Sequence, residues 1–288
     1  MGQSHRCDWL QGGRVTVLPP RLPVRFEVAG AVATVTLSRT EARNALTPEM
    51  LCRLADAFEA YEADGALRAL ILTGEGSQAF CAGGDLSSTI PLLTGARQPA
   101  DEWDRRVLHD PKVMAASGLR ERPGSKPVIA AVNGACIAAG FELLLGTDIR
   151  IAADHAKFAL PEASRGVIPF AGSMARLPRQ IPYCVAMKLM LTGTAIDAAE
   201  AERIGLVNHS VAADRVTPMA REIADGIAAN APVSIRKIKR VAIAGSGLPL
   251  SDAYRLEDNA RARVLGTEDA REGPRAFMEK RLPRYQGR

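Results

Sequence analysis

Two glutamates in apolar surroundings are the residues of this sequence best suited to acid–base chemistry. Glu142 lies inside an apolar run that ends with Leu145, and Glu162 directly follows Pro161 at the end of an apolar segment. Two carboxyl groups in one apolar pocket can act as general acid and general base, because burial and mutual repulsion separate their pKa values. The pair therefore predicts proton-transfer chemistry. The plain alternatives are a buried ion pair between Glu142 and an arginine, and a solvated turn position for Glu162.

Two segments rich in small residues are suited to presenting backbone N–H groups to the same site. In the central run Lys126–Asp148, a buried strand leads through Ala138, Ala139 and Gly140 into an apolar helix. The run Ala79–Leu86 repeats this pattern with the residues Ala-Gly-Gly. The first N–H groups of a helix have no partner within that helix and can hold an oxygen that becomes negative. Two converging sites of this kind predict stabilisation of an oxyanion.

Short apolar runs predict the strands that position these segments. The predicted strands are Val24–Val28 and Val32–Leu37, which form a hairpin, followed by Arg68–Thr73, Val128–Val132, Ile149–Ala152, Lys157–Leu160 and Leu206–Val211. Thr47 and Pro48 predict the start of a helix between the hairpin and the next strand, as cap and first residue. Strands that alternate with helices in this way indicate an α/β fold.

The chain is predicted to divide into three parts. Residues 1–22 carry several arginines and no apolar core, which indicates a disordered tail rather than a secretory signal. Residues 23–220 form the predicted core, in which the polar stretch 87–125 either covers a site or is a variable insertion, with an amphipathic helix near Glu102–Ala116. Residues 221–288 form a predicted helical region. The helices expected there and just before it are Arg215–Asn230, Val233–Ala244, Ser251–Leu265 and Glu268–Lys280.

Composition narrows the possible classes of protein. The chain has 288 residues, of which 47% are hydrophobic, and a net charge of +5, a mild excess that is compatible with a phosphate-bearing ligand. Its five cysteines show no CxxC pairing and its four histidines no ligand spacing, so we expect a reducing cytoplasm and no metal site. No apolar run approaches the length of about 18 residues that a membrane helix needs, so no membrane association is expected.

Several motifs in register resemble the crotonase (enoyl-CoA hydratase/isomerase) superfamily. They are Arg43–Leu46, Ala79–Leu86, Lys126–Gly134, Gly140–Leu143, Phe158–Glu162 and Arg176–Arg179. The resemblance runs from about Val24 to the end of the chain. It implies a spiral of repeated ββα units and a C-terminal helical region that packs subunits into a homotrimer or homohexamer. It also implies an acyl-CoA thioester as substrate and a place in fatty-acid and lipid metabolism, with no cofactor beyond the coenzyme A carried by the substrate.

The resemblance also implies roles for individual residues. The backbone N–H groups of Gly84 and Ala139 would form the oxyanion hole for the thioester oxygen. Glu142 would chiefly activate water and Glu162 would exchange the proton at Cα, because this sequence keeps both glutamates of the true hydratases. The residues that would contact coenzyme A and the acyl group are Ala42, Arg43, Ala45, Ala82, Gly83, Asp85, Leu86, Ala138, Pro161 and Phe170. Arg43 would meet a phosphate, and Asp85 is expected to cap a helix before it takes any catalytic part.

The sequence departs from the family pattern at two places. Phe170 stands where the family often has a glycine, and we expect its ring to reshape the acyl pocket, so a simple short-chain substrate is not assumed. Ala138 and Ala139 replace a common Gly-Gly pair, which should preserve the backbone donor if φ is unstrained. The surrounding motifs are also similar to those of the carnitinyl-CoA dehydratase branch.

Four functions stay open at this point. Hydration of a 2-enoyl-CoA is the leading hypothesis. A carnitinyl-CoA dehydratase-like reaction and double-bond isomerisation are the enzymatic alternatives. A function of a different class is RNA binding, which only the basic run Arg236–Arg240 supports. A solvated helix face explains that run better. A catalytically silent assembly protein is disfavoured because both glutamates are retained.

Overall fold

The computed structural model describes residues 22–120 and 126–288. Apart from residue 22, the predicted N-terminal tail lies outside the described residues. The predicted hairpin is present as β1 (Val24–Ala29) and β2 (Val32–Leu37), which pair antiparallel around a turn at Gly30 with a φ of 64°. A left-handed φ of this kind favours glycine.

Two sheets form the centre of the fold. The larger has six strands in the order β1-β2-β3-β5-β7-β10, all parallel from β2 onward. The smaller has four strands in the order β4-β6-β8-β9. The remaining strands are β3 (Ala69–Gly74), β4 (Ala79–Cys81), β5 (Val128–Val132), β6 (Ala135–Ile137), β7 (Ile149–Ala153), β8 (Lys157–Ala159), β9 (Ile196–Asp197) and β10 (His209–Val211).

Each of three successive strand pairs contributes one strand to the larger sheet and one to the smaller sheet. These pairs are β3 with β4, β5 with β6, and β7 with β8, and a helical segment follows each pair. The predicted arrangement of repeated ββα units is thereby confirmed. Strands β6 and β9 were not predicted from the sequence, because two or three residues are too few to show an alternation of apolar and polar side chains.

The helices surround these sheets. They are α1 (Pro48–Ala63), α2 (Thr89–Leu93), α3 (Glu102–His109), α4 (Pro111–Ser117), α5 (Ala139–Leu145), α6 (Ser173–Gln180), α7 (Tyr183–Thr192), α8 (Ala198–Arg203), α9 (Ala213–Ala228), α10 (Pro232–Gly245), α11 (Leu250–Leu265) and α12 (Asp269–Met278). As predicted, Thr47 caps α1, and its hydroxyl accepts a hydrogen bond from the N–H of Met50 at 3.2 Å.

The single amphipathic helix predicted near Glu102–Ala116 is wrong in one respect. Two helices, α3 and α4, occupy this stretch and meet at Asp110 and Pro111. Proline has no N–H group to continue a preceding helix, and the Asp110 side chain caps the next one by accepting from the N–H of Lys112 at 3.0 Å. The break lets the chain turn along the face of α1, which packs against both helices.

Helix α9 covers one face of the larger sheet. Its side chains Val216, Ala220 and Ala224 recur every four residues and pack on Ile71 and Ile129 of the strands beneath. The predicted boundary near residue 220 therefore falls inside a helix that belongs to the sheet's packing. The division of the chain into a core and a helical region stays a prediction.

The four C-terminal helices are present as predicted from the sequence. Helices α10 and α11 bury no residue completely, although they carry apolar side chains such as Ile238, Leu250 and Leu265. None of the helices between residues 22 and 120 or between 126 and 288 combines the length and the apolar character that crossing a membrane requires.

Candidate active site

A cavity of about 410 Å³ lies where the two segments of small residues meet the loop after β8. Both predicted catalytic glutamates line it, and so do Gly84 and Ala139. The rest of the wall is largely apolar and comes from Leu46, Leu51, Leu86, Ile90, Leu93, Met114, Val167, Ile168 and Phe170. The fold thus brings two carboxyl groups and two backbone segments to one apolar space.

Glu142 is held in the first turn of the short helix α5. This helix lies directly on strand β4, because a Cβ added at Gly140 would stand 2.4 Å from the carbonyl oxygen of Cys81. The Glu142 side chain is only 2% exposed, and its Oε1 accepts a hydrogen bond from the N–H of Ser173 at 3.2 Å. No lysine or arginine of the described residues forms an ion pair with it, so the alternative of a buried ion pair is wrong.

Glu162 is placed by the loop that follows β8. A short 3-10 turn, Ala163–Arg165, begins directly after it, and the carbonyl oxygen of Glu162 accepts from the N–H groups of Arg165 and Val167. Its side chain is 7% exposed, so the alternative of a solvated turn acid is also wrong. The atom Oε2 is buried and has no hydrogen-bond partner among the described residues.

Burial favours the neutral forms of both acids. It raises the pKa of Glu142 to about 7, and the negative charge of Glu162 adds to that shift, while hydrogen bonds from Ser173 and Ala171 oppose it. Burial also raises the pKa of Glu162 above its usual value, against the lowering effect of the charge on Arg165. Near neutral pH, Glu142 can therefore both take up and release a proton.

The amide of Gly84 is left without an acceptor by the local pairing. A parallel bridge joins Leu46 and Gly84, but it uses the N–H of Leu46 bonded to the oxygen of Gly83 and the N–H of Asp85 bonded to the oxygen of Leu46. The Thr89 hydroxyl reinforces this contact by donating to the same Leu46 oxygen at 2.7 Å. Gly84 itself keeps its N–H group for the cavity.

The amide of Ala139 is the first of helix α5 and has no acceptor within that helix. In the described part of the chain, neither this amide nor that of Gly84 forms a hydrogen bond. The two segments are in contact, since a Cβ added at Gly83 would lie 3.5 Å from the Ala139 nitrogen. Two unengaged donors therefore border the same space.

Ala138 corrects one expectation about the replacement of the Gly-Gly pair. Its φ of 53° and ψ of −123° lie in a region that side chains rarely adopt, so the alanine is strained. The strain falls on residue 138 and not on the residue whose N–H faces the cavity. The donor expected at Ala139 survives the replacement.

Asp85 stabilises the loop and does not line the cavity. Its Oδ1 accepts from the N–H groups of Ser87 and Ser88, both at 2.9 Å, and its Oδ2 forms an ion pair with Arg39. Burial alone would raise its pKa, but these hydrogen bonds outweigh burial and hold the pKa well below its usual range. Asp85 thus stays ionised and fixes the turn that precedes α2, close to the capping role expected of it.

The other predicted contact residues divide into two groups. Ala82, Leu86, Ala138 and Phe170 line the cavity together with the glutamates. The remaining ones do not line it; they are Ala42, Arg43, Ala45, Gly83 and Pro161. Arg43 borders a separate cavity of about 500 Å³. Its carbonyl oxygen accepts from the N–H of Ala82 at 3.0 Å, so it is hydrogen-bonded to a residue that lines the first cavity.

Sequence reasoning missed several members of the site. Met114 and Ser117 come from α4, inside the stretch that was expected to cover a site, and no residue pattern singles them out. Arg165 also lines the cavity, and its position next to Glu162 was the available signal. Ser173 was not singled out from the sequence, although its N–H donates to Glu142.

Known proteins resemble this chain in both sequence and fold. The sequence model of the enoyl-CoA hydratase/isomerase family matches residues 27–288. Enoyl-CoA hydratase EchA19 of Mycobacterium tuberculosis is 40% identical over 91% of this chain and 96% of its own length. Carnitinyl-CoA dehydratase of Proteus mirabilis is 38% identical over 90% of this chain and 96% of its own length. The crystal structure of enoyl-CoA hydratase from Bacillus anthracis superimposes with a TM-score of 0.83 at 34% identity, covering 93% of this chain and all of that one.

The structural similarity defines the fold of this chain, and the sequence match defines its family. The α/β architecture, with its two sheets and repeated ββα units, is the crotonase fold expected from the motifs. With the match over residues 27–288, the chain belongs to the enoyl-CoA hydratase/isomerase family.

Proposed function

We propose that this protein is a hydro-lyase that adds water across the 2,3 double bond of an enoyl-CoA thioester. The observation that carries the proposal is the presence of two buried carboxyl groups, Glu142 and Glu162, in one cavity with two unengaged backbone donors. The activities named for the relatives, hydratase and dehydratase, support the same class of reaction.

The backbone donors would stabilise the charge that develops on the substrate. The N–H groups of Gly84 and Ala139 would bind the thioester oxygen, which becomes negative as an enolate forms. Donors fixed in a dry, apolar cavity act strongly because they need no reorganisation, and one such donor typically contributes roughly 10²–10³ in rate. Since both donors belong to the backbone, no substitution at these two positions other than proline removes them.

The two glutamates would divide the proton transfers. Glu142 would take a proton from water as the water oxygen forms its bond to Cβ, and the electrons of the double bond would move into the enolate. Glu162 would then give its proton to Cα, and the enolate would collapse to the thioester. Each acid–base contribution is on the order of 10²–10⁴ in rate. The pKa of Glu142, raised to about 7, and the raised pKa of Glu162 support this exchange.

The wall of the cavity supports an apolar acyl group as substrate. Aliphatic side chains such as Leu93, Met114 and Ile168 supply most of the lining, and Phe170 adds a ring where the family often has glycine. We propose that coenzyme A runs past Ala82 and Leu86. Arg43, at the neighbouring cavity, is the proposed contact for a phosphate.

We also propose that the protein assembles through its C-terminal helices. Helices α10 and α11 enclose an open, largely apolar groove of about 700 Å³ lined by residues such as Ile238, Val241 and Val264. Apolar side chains exposed over this area indicate a surface that another subunit covers. A homotrimer or homohexamer is the proposed state.

The basic run on α10 gives little support to the RNA-binding alternative. The ammonium group of Lys239 is engaged by Asp148 at 2.7 Å and by the carbonyl oxygen of Lys126 at 2.8 Å, on the inner side of the helix. The cluster is therefore split between an internal anchor and exposed positions such as Arg240. It does not form one cationic face.

A panel of 2-enoyl-CoA thioesters tests the proposed function. Hydration would be followed by the loss of enoyl absorbance, with acyl chains that differ in length, branching and polarity. We expect turnover of at least one apolar substrate, abolished in a Glu142→Gln/Glu162→Gln double variant. If the protein shifts the double bond of a 3-enoyl-CoA but hydrates no member of the panel, the isomerase alternative replaces the proposal.

A further inference from the structure

Two buried polar atoms of the described residues have no hydrogen-bond partner, and both lie at the candidate active site. They are Oε2 of Glu162 and Oγ of Ser173. The first belongs to a residue that lines the cavity. The second belongs to a residue that is 0% exposed and does not line the cavity, so no substrate reaches it directly. Its function has to involve a protein group.

The protein group to which Ser173 is hydrogen-bonded is the carboxylate of Glu142. The backbone N–H of Ser173 already donates to Oε1 of this carboxylate at 3.2 Å. The Ser173 hydroxyl lies close enough to lower the pKa of the Glu142 carboxyl as well. A hydroxyl hydrogen rotates to suit its surroundings, so it can turn toward a carboxylate when the latter becomes charged.

We propose that Ser173 is a positioning residue whose hydroxyl group holds the ionised Glu142 carboxylate in place for catalysis. This inference rests on the proposed function, in which Glu142 acts as the base. A buried carboxylate held only by backbone donors, here those of Ser173 and Ala171, is expensive to ionise, and a further, charge-assisted hydrogen bond offsets part of that cost. The residue thus adds a side-chain donor to a backbone donor on the same acid.

The charged groups around Glu142 do not take the role of stabilising its ionised carboxylate. Glu162, across the cavity, carries the same charge and makes ionisation harder. The charge on Arg165 lowers the pKa of Glu162. Arg176, one turn further along α6, donates to carbonyl oxygens at the end of α4.

Helix α5 packs on strands β4 and β6, which carry the thiols of Cys81 and Cys136. Burial raises the pKa of Cys81 to about 12 and that of Cys136 well above its usual value, so both thiols stay neutral over the range in which Glu142 titrates. No lysine or arginine of the described residues forms an ion pair with the Glu142 carboxylate. The donors from α6 and the loop before it are its support.

The test compares Ser173→Ala with the wild-type protein and with Ser164→Ala as a matched control. Ser164 lies on the loop of the other acid, is exposed, and donates to the Pro161 carbonyl oxygen, so its hydroxyl does not reach Glu142. For Ser173→Ala, we expect the acidic limb of the kcat/KM profile to move up by about one pH unit, as the loss of a hydrogen bond to a charged group predicts. The value of kcat/KM would fall roughly tenfold at pH values below the acidic limb and change little at pH values above it, with KM nearly unchanged.

A stability measurement without substrate separates this inference from the proposed function. Below pH 5, Glu142 is protonated in the wild type and in Ser173→Ala, so the two melting temperatures should nearly coincide. At pH 8 the ionised acid lacks a donor in the variant, and its melting temperature should fall. In a Glu142→Gln background the same serine substitution should have no pH-dependent effect.

The outcomes are distinct. A melting-temperature loss that is equal at both pH values, and that persists beside Glu142→Gln, would mean that Ser173 only fills space and would overturn the inference. If Ser173→Ala fails to fold, Ser173→Gly retains the backbone donor and undergoes the same comparison. If the pH-dependent coupling appears while no enoyl-CoA is hydrated, the positioning of Glu142 by Ser173 holds and the proposed reaction is wrong.

Discussion

Gly83 lies so close to Ala138 that a Cβ at residue 83 would stand 2.8 Å from the Ala138 methyl group and 3.1 Å from the carbonyl oxygen of Ile137. The two segments that carry the proposed backbone donors are therefore in contact next to those donors. Gly83 also has a φ of 101°, which side chains rarely adopt. The spacing between the two amides depends on this glycine.

Replacing Gly83 with alanine should separate the two segments. Neither the backbone oxygen nor the Ala138 methyl group can rotate away, so we expect kcat to fall by at least 10², the value of one misplaced donor. Gly95→Ala is the control, because Gly95 has a φ of 74° but no atom within 4 Å of an added Cβ. Steady-state kinetics on the best enoyl-CoA would measure both variants, and equal losses in the two would contradict a specific role for Gly83.

Ala138→Gly should stabilise the protein. The alanine has a strained backbone, which costs on the order of 1–3 kcal/mol, while glycine adds about 0.5–1 kcal/mol of unfolded-state entropy. We expect a net gain of about 1 kcal/mol in denaturant unfolding and kcat within a few-fold of the wild-type value, because the Ala139 donor is unchanged. A clear loss of stability would show that the methyl group contributes packing that outweighs the strain.

Glu142→Gln and Glu162→Gln should each reduce hydration by 10²–10⁴ in kcat, since each removes one proton-transfer group while keeping its shape. Glu59→Gln, on the exposed face of α1 beside Lys112, serves as the control and should leave kcat unchanged. Isomerisation of a 3-enoyl-CoA needs only one acid. A variant that keeps isomerase activity and loses hydration would assign the surviving acid to the Cα proton.

The kcat/KM for hydration should rise with pH through about 7. Burial and the charge of Glu162 raise the pKa of Glu142 to about 7, and a base works only when ionised, so activity is lost as pH falls through that value. In Glu162→Gln the repelling charge is absent, and the acidic limb of the residual activity should move to lower pH. A profile that is flat from pH 5.5 to 8 would exclude Glu142 as the base.

Phe170→Gly should change which acyl groups are accepted. The ring borders the cavity, and its removal makes room beside the acyl wall. We expect kcat/KM for long or branched enoyl-CoAs to rise relative to crotonyl-CoA by roughly tenfold, within the range that small changes in apolar pockets produce. Phe170→Leu, which keeps a bulky side chain, is the control. An unchanged substrate order in both variants would remove Phe170 from the acyl pocket.

The sequence by itself determined the family and most of the framework. Local patterns sufficed for the hairpin Val24–Leu37, for the Thr47 cap of α1 and for the C-terminal helices, because turns, caps and amphipathic faces depend on neighbouring residues. The same holds for the positions of Glu142 and Glu162, which motifs mark directly. Patterns of two or three residues, as in β6, were too short to recognise.

Only the tertiary structure decided how these residues meet. Helices α4 and α6 pack against α5 and bury Glu142, which raises the pKa of this acid. Both helices are separated from α5 in the sequence, and only folding brings them to it. The backbone strain at Ala138 and the unpartnered hydroxyl of Ser173 likewise depend on contacts between distant segments. Side-chain type fixes what a residue can do chemically, whereas the free energy of each charge and hydrogen bond depends on its surroundings in space.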